Sequence, residues 1–319
     1  MNPGSTWRTG AALFGKAPWN EEYLRAPARH AELRSLDEWI FRNASAMPAL
    51  SQTVGREVPI PTYGFLVSVD ASAPLQAVAG VLSPSQDKAG RAYPLVVAAA
   101  ANLEPRVVAH PEVAPILLES YWEIAVEALT GLSSETPAVG DRSLERATET
   151  PLESALAALE LYTRWTRETS VADLCALLGR STEWLDSAGR QVLESASPSL
   201  LAIRVPLGGA AGSALCFWLD VLRRAGRWEG GRAPSFFWSH DGVGGDALLC
   251  PGAPGESVLA ALWTNAPAGE IVCDLARIGP APPVFSSSGS GQGSVATFLE
   301  ELESARSAGS QVHGLRGPR

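Results

Sequence analysis

The sequence predicts an α/β fold with α+β character, a central mixed or largely antiparallel sheet flanked by helices. Three observations point there. Two apolar, strand-like runs, 78–82 and 93–101, are separated only by the polar turn Pro84-Ser85-Gln86-Asp87-Lys88-Ala89-Gly90, which reads as an antiparallel hairpin. Longer stretches, among them 113–129, 152–167 and 211–224, carry apolar residues at helical spacing. A second strand–turn–strand unit runs from Pro234 to Cys250, so hairpins occur in both halves, although the identities are too few for a repeat.

The elements follow in order. Residues 1–10 are polar and read as a loose N-terminus, and 11–16 as a short strand ending at Gly15-Lys16. Residues 21–24 and 31–44 read as helical, the second with Leu33, Leu36, Trp39 and Ile40 recurring on one side. Residues 58–69 are extended, with Pro59 and Pro61 suited to an edge and Tyr63, Phe65, Val67 and Val69 alternating. The hairpin follows, then the helix 113–129 with Gly131 as its C-cap. Residues 133–150, rich in Ser, Thr, Pro, Gly and charge, read as a linker. Pro151 then opens a helix over 152–167, with further helical stretches at 171–178 and 182–193. A strand at 200–205, the helix 211–224, strands at 235–239 and 247–250 around the turn His240–Gly245, and a short helix at 257–263 come next. Residues 286–294 are Ser/Gly linker composition, and 295–305 form one amphipathic helix. The domain plan is thus 1–10, an N-terminal region over 11–132, the linker 133–150, a helical insert plus C-terminal α/β region over 151–280, and a flexible tail over 281–319 with a short helix.

Composition narrows the function. Of 319 residues, 46% are hydrophobic and 18% charged, enough apolar matter for a sizeable core. The formal charge is −9, with no block of Lys and Arg, which argues against a nucleic-acid or anionic-membrane surface. No apolar run reaches the roughly 18–20 residues of a membrane helix, and no charged-then-apolar leader is present, so a cytoplasmic protein is expected. Cys175, Cys216, Cys250 and Cys273 show no CxxC spacing and read as free buried thiols.

Catalytic motifs fail on their chemistry. Gly10–Lys16 fits GxxxxGK, but Ala17 stands where a magnesium-binding hydroxyl is needed, the interior Ala-Leu-Phe is apolar, and no strand precedes it. Ser85–Lys88 fits SxxK, but Pro84 and Gly90 make it a turn rather than the first turn of a buried helix. His240-Asp241 are chain neighbours, whose side chains diverge on a strand end; His30, His110 and His313 lack metal-ligand spacing. The ten tryptophans fall mostly within apolar patterns and read as core, with a partner groove as the alternative. Asp87 and Arg91 read as a loop salt bridge, with an exposed recognition loop as the alternative. No cofactor or metal site is expected.

Resemblance adds what the residues alone do not give. Ala79-Gly80-Val81-Leu82 leading into Pro84-Ser85, Asp87, Gly90-Arg91 and Tyr93-Pro94-Leu95 resembles the signature of the TagF (ImpM) family of type VI secretion-associated proteins. Phe14-Gly15-Lys16-Ala17-Pro18 resembles the family's N-terminal motif, and Leu24-Arg25 and Leu36-Asp37-Glu38-Trp39 its next two segments. Pro234-Ser235-Phe236-Phe237-Trp238-Ser239 is similar to its later Trp-containing strand. The resemblance is strong over residues 14–130 and weaker over 200–265. Two departures stand out: Asn20-Glu21-Glu22-Tyr23 replaces the family's Gly-Asp-Phe, and 133–197 is longer than the family pattern. The resemblance implies a non-enzymatic, post-translational repressor of type VI secretion. Its implied partner is a component of the apparatus such as the forkhead-associated-domain scaffold protein. It marks Gly15, Lys16, Pro18, Pro84, Ser85, Asp87, Gly90, Arg91 and Trp238 as candidate partner-binding or motif residues. Some relatives are fused to a PP2C-type phosphatase, whose metal-binding aspartate pattern is not visible here. The alternatives are a structural or assembly subunit of the apparatus, or a hydrolase assembled from distant residues such as Asp87, Arg91 and His240.

Overall fold

Among the described residues a ten-stranded sheet separates two apolar layers. The computed structural model describes residues 4–25, 30–44, 62–68, 73–133, 137–194, 202–209, 211–226, 228, 231–239, 245–251, 254–255, 257–264, 272–279, 285 and 292–314. The strands are β1 (Thr6–Trp7), β2 (Ala12–Gly15), β3 (Leu24–Arg25), β4 (Tyr63–Val67), β5 (Gln76–Ser83), β6 (Leu95–Asn102), β7 (Ala202–Gly208), β8 (Ser235–Ser239), β9 (Gly245–Cys250) and β10 (Val272–Asp274). Their order is β10-β7-β9-β8-β4-β5-β6-β2-β3, with β1 also on β6. Among the described residues every pairing is antiparallel except β7 with β10. The fold is therefore α/β with a mostly antiparallel sheet, as expected from the hairpins.

The helices among the described residues are α1 (Ala31–Ala44), α2 (Pro105–Ala109), α3 (Ala114–Ser133), α4 (Pro137–Glu149), α5 (Ala155–Glu168), α6 (Val171–Leu178), α7 (Thr182–Glu194), α8 (Ala211–Arg224), α9 (Ser257–Thr264) and α10 (Val295–Gly314). They are shared unequally. Helices α2 to α8 and α10 contribute to the first core layer, and α1 and α9 cover the second. Side chains alternate across a strand, so β6 sends Leu95, Val97, Ala99 and Ala101 into one layer and Val96, Ala98 and Ala100 into the other. The small alanines leave room for the aromatic face of α3, whose Tyr121 hydroxyl donates to the Ala79 carbonyl at 3.1 Å.

Several segments differ from the sequence reading, each for a local reason. Residues 21–24 do not form a helix: Leu24 and Arg25 pair with Gly15 and Phe14 in the sheet. Thr6 and Trp7, within the stretch read as loose, pair with Asn102 and Ala101, and the Trp7 ring lies 4.4 Å from that of Tyr121. The stretch read as a linker carries α4, because Leu144 and the fully buried Ala147 recur three residues apart and pack into the first layer. Gly131 does not cap α3, which continues to Ser133. The helix read from Leu152 begins at Ala155, after Ser154 in extended conformation. Ser170 caps α6 by accepting from the Asp173 N–H, and Gly179 ends it at φ 63°. The last helix reaches Gly314, and its Val295, Phe298, Leu299 and Leu302 are buried in the first layer. The turn His240–Gly244, residues 58–61 and the Ser/Gly stretch 286–291 lie outside the described residues.

A buried charge cluster ties the two halves of the chain together. Arg223 on α8 bridges Glu112, from the 3-10 turn Pro111–Val113, at 3.1 Å and Asp220 at 2.5 Å. Arg224 adds Asp220 and Glu303, both at 3.0 Å, and the Tyr162 hydroxyl donates to Asp220 at 3.1 Å. Burial, then the charge of Glu112, pushes the Asp220 carboxyl up, against the pull of the two arginines. With both carboxylates closed in by partners, this cluster is a fastening rather than a reactive centre.

Candidate functional site

Sequence fixes the site through one close approach. Gly15 ends β2 at φ 116°, and a Cβ added there would lie 2.0 Å from the Pro94 carbonyl oxygen. Only glycine lets β2 run this near the start of β6. The next residue, Lys16, is thereby delivered to the loop between β5 and β6. Its ammonium lies 2.9 Å from Asp87 Oδ2.

Asp87 is the centre of the loop. The residue is 2% exposed and its carboxylate accepts from every side. Oδ1 accepts from the backbone N–H groups of Ala89 (3.0 Å) and Arg91 (2.8 Å). Oδ2 accepts from Arg91 Nε at 2.7 Å and pairs with Lys16. Burial alone would raise this carboxyl; the Lys16 bond, the Arg91 N–H and the Arg91 guanidinium outweigh it and hold it well below the usual carboxylate range. Backbone bonds close the turn around it: Asp87 N–H to Arg91 O (3.1 Å), Gly90 N–H to Asp87 O (2.8 Å) and Tyr93 N–H to Ser85 O (2.9 Å). Gly90, at φ 80°, makes the tip.

The expected Asp87–Arg91 pair is thus present, and Lys16 joins it from 71 positions upstream. The segment 20–23 also joins. Asn20 O accepts from the Lys88 N–H at 3.0 Å, and Glu21 O accepts from Arg91 Nη2 at 2.5 Å. Beneath it the Tyr23 hydroxyl donates to the buried Asp37 on α1, and its ring meets Tyr93 edge-on at 5.1 Å. No sequence signal pointed to the contacts of Asn20 and Glu21, since they run through backbone carbonyls.

The remaining candidates separate. Pro84 and Ser85 are buried at the end of β5, whereas Pro18 and Gly90 are exposed. Trp238 lies in the core on β8, 5% exposed, with its ring 4.1 Å from that of Trp122. Ser85 has no activating lysine: the Lys88 side chain is 66% exposed and reaches toward Glu21 at 3.9 Å. The GxxxxGK stretch is a buried strand, not a phosphate cradle, because Ala12 to Phe14 pair with β6. Cys175, Cys216 and Cys250 are buried free thiols, and Cys273 is half-buried. Among the described residues no group of three or more His, Cys, Asp or Glu side chains is placed to hold a metal ion, and no helix is long and apolar enough to cross a membrane.

What reaches the surface is a loop tip carrying two cations, Lys88 and Arg91, on a base of fixed charges. Such a surface can present a shape and a charge; it offers no free base or nucleophile.

Comparison with known proteins agrees with the motif reading. Residues 12–146 match the family model described as the TagF N-terminal domain, type VI secretion system-associated. No curated protein sequence matches the chain. Among solved structures, PA0076 from Pseudomonas aeruginosa PAO1 is similar at 17% sequence identity and a TM-score of 0.42, with 86% of this chain and 99% of that chain covered.

Proposed function

We propose that this protein, whose residues 12–146 belong to the TagF N-terminal domain family, is a non-enzymatic repressor of type VI secretion. It acts by binding a component of the apparatus, such as the forkhead-associated-domain scaffold protein, in the cytoplasm. The loop Pro84–Arg91, braced by Lys16 and by the close approach of Gly15 to Pro94, is its contact. One observation carries this reading: the Asp87 carboxylate is consumed by two cations and two backbone N–H groups, so the motif residues build a rigid exposed tip instead of a reactive centre.

A paired experiment tests it. Deletion of the gene raises type VI-dependent secretion if the protein represses; lost secretion identifies a structural subunit instead. Arg91→Ala, with its fold checked by circular dichroism and thermal unfolding, recovers less of the scaffold protein in a pull-down than wild type does. Unchanged recovery by the folded variant removes the loop from the contact.

A further inference from the structure

A cleft away from this loop, between α1 and the end of β4, has its own chemistry. Its volume is about 270 Å³. That is below the roughly 300–1,000 Å³ of pockets that take drug-sized ligands or cofactors. It fits one large side chain. Leu36 and Val67 are apolar lining, and Trp39 forms a wall. The Trp39 ring stacks on Phe237 at 5.9 Å and its Nε1–H donates to the Pro254 carbonyl at 3.1 Å, so the wall is held from two sides. Glu38 and Arg42, four residues apart on α1, bring both signs of charge to the lining.

Ser68 puts an unpaired hydroxyl in the cleft wall. The residue is 3% exposed and its backbone N–H donates to Ser235 Oγ at 3.0 Å, but its own Oγ is buried with no hydrogen-bond partner. Buried hydroxyls are ordinarily bonded, so an unbonded one in a cleft wall marks a place for an incoming polar atom. A serine needs only a χ1 rotation to turn its hydroxyl toward that atom.

We propose that this cleft seats one tyrosine of a protein partner, its ring against Trp39 and its hydroxyl exchanging a hydrogen bond with Ser68. A phenol both donates and accepts, as the serine hydroxyl does; phenylalanine and leucine would leave Ser68 unpaired, and an indole could only donate. The inference rests on the partner-binding reading only in taking the occupant to be a protein.

The test uses the isotope-labelled full chain and reads the Trp39 indole N–H resonance while N-acetyl-tyrosinamide, N-acetyl-phenylalaninamide or N-acetyl-leucinamide is added. The tyrosine amide is expected to give a saturable shift in the roughly millimolar range, as one anchoring side chain affords. The phenylalanine amide is expected to bind at least about tenfold more weakly, because a site built for a hydroxyl disfavours its absence. Ser68→Ala should erase that difference. No saturable shift, equal affinity for the tyrosine and phenylalanine amides, or preference for the leucine amide would overturn the proposal. The three-amide comparison on wild type decides it even if Ser68→Ala does not fold. Its failure leaves the Arg91→Ala and deletion outcomes untouched, so the two readings fail separately.

Discussion

Replacing Gly15 by alanine should be far more costly than its size suggests. Two effects add. The first is backbone strain: an L-residue at φ 116° costs about 1–3 kcal/mol. The second is overlap. The new Cβ would lie 2.0 Å from the Pro94 oxygen and 3.0 Å from Leu95 Cα, both backbone atoms that no rotamer change can move. Relief requires β2 to shift against β6, where Gly15 pairs with Leu95, and overpacking of this kind costs about 1–3 kcal/mol. The total is roughly 2–6 kcal/mol, a large part of the about 5–15 kcal/mol that holds a typical domain folded. Urea unfolding with two control glycines separates the effects. Gly90→Ala, at φ 80° with nothing within 4 Å, bears the strain alone, about 1–2 kcal/mol. Gly212→Ala, in the first turn of α8 with nothing within 4 Å, should be neutral or stabilising by up to about 1 kcal/mol. If Gly15→Ala lowers stability no more than Gly90→Ala does, the close approach of β2 to β6 does not constrain residue 15, and the account of how Lys16 is delivered fails with it.

Two further outcomes follow from ionisation and burial. Because the folded-state pKa of Asp87 is depressed, its contribution to stability is present above the ordinary aspartate value of about 3.9 and is lost only as pH falls through the lower folded value. A carboxyl titration followed by NMR should therefore find Asp87 still ionised at about pH 3, and Lys16→Met should move its midpoint upward; an Asp87 that titrates with the other carboxyls would contradict the triad. The thiols should divide by burial. Cys175 and Cys250 are pushed up to about 12, chiefly by desolvation, and Cys216 higher still, so alkylation of the native protein at about pH 8 should modify Cys273 first. Early labelling of Cys216, mapped by mass spectrometry, would count against the packing around α8.

Local signals in the sequence were legible and distant ones were not. The hairpin 78–101 was readable because its turn chemistry lies between two apolar runs, and α8 because Leu215, Trp218, Leu219 and Leu222 repeat at helical spacing. Tyr63, Phe65, Val67 and Val69 alternate in sequence on one face, Val69 lying outside the described residues. Leu66 between them is equally buried, because helices cover both sides of the sheet, so alternation assigns a residue to a layer instead of to water. α4 was missed because Ser, Thr and charge dominate its composition, while Leu144 and Ala147 are the apolar side chains that, among the described residues, carry its packing. In the candidate site, Asp87 and Arg91 were visible as loop neighbours. Lys16 was visible only as a residue of a separate motif, since nothing local encodes that two segments of the sheet end side by side. The same holds for the carbonyls of Asn20 and Glu21, whose role depends on position and not on residue type.

The central seam of the sheet has a consequence for how the chain is made. Strands β4 and β8 pair Tyr63–Leu66 with Ser239–Phe236, so the middle of the sheet joins residues born far apart during synthesis. Until β8 leaves the ribosome, the β4 edge of a growing chain has no neighbour, and Phe65 and Leu66 lie on an open strand border. The wait delays completion of the sheet, since distant pairings must close a long loop before they contribute. A fragment stopping near residue 146 would carry that unfinished border permanently and should stick to itself, whereas a chain long enough to supply β8 should not.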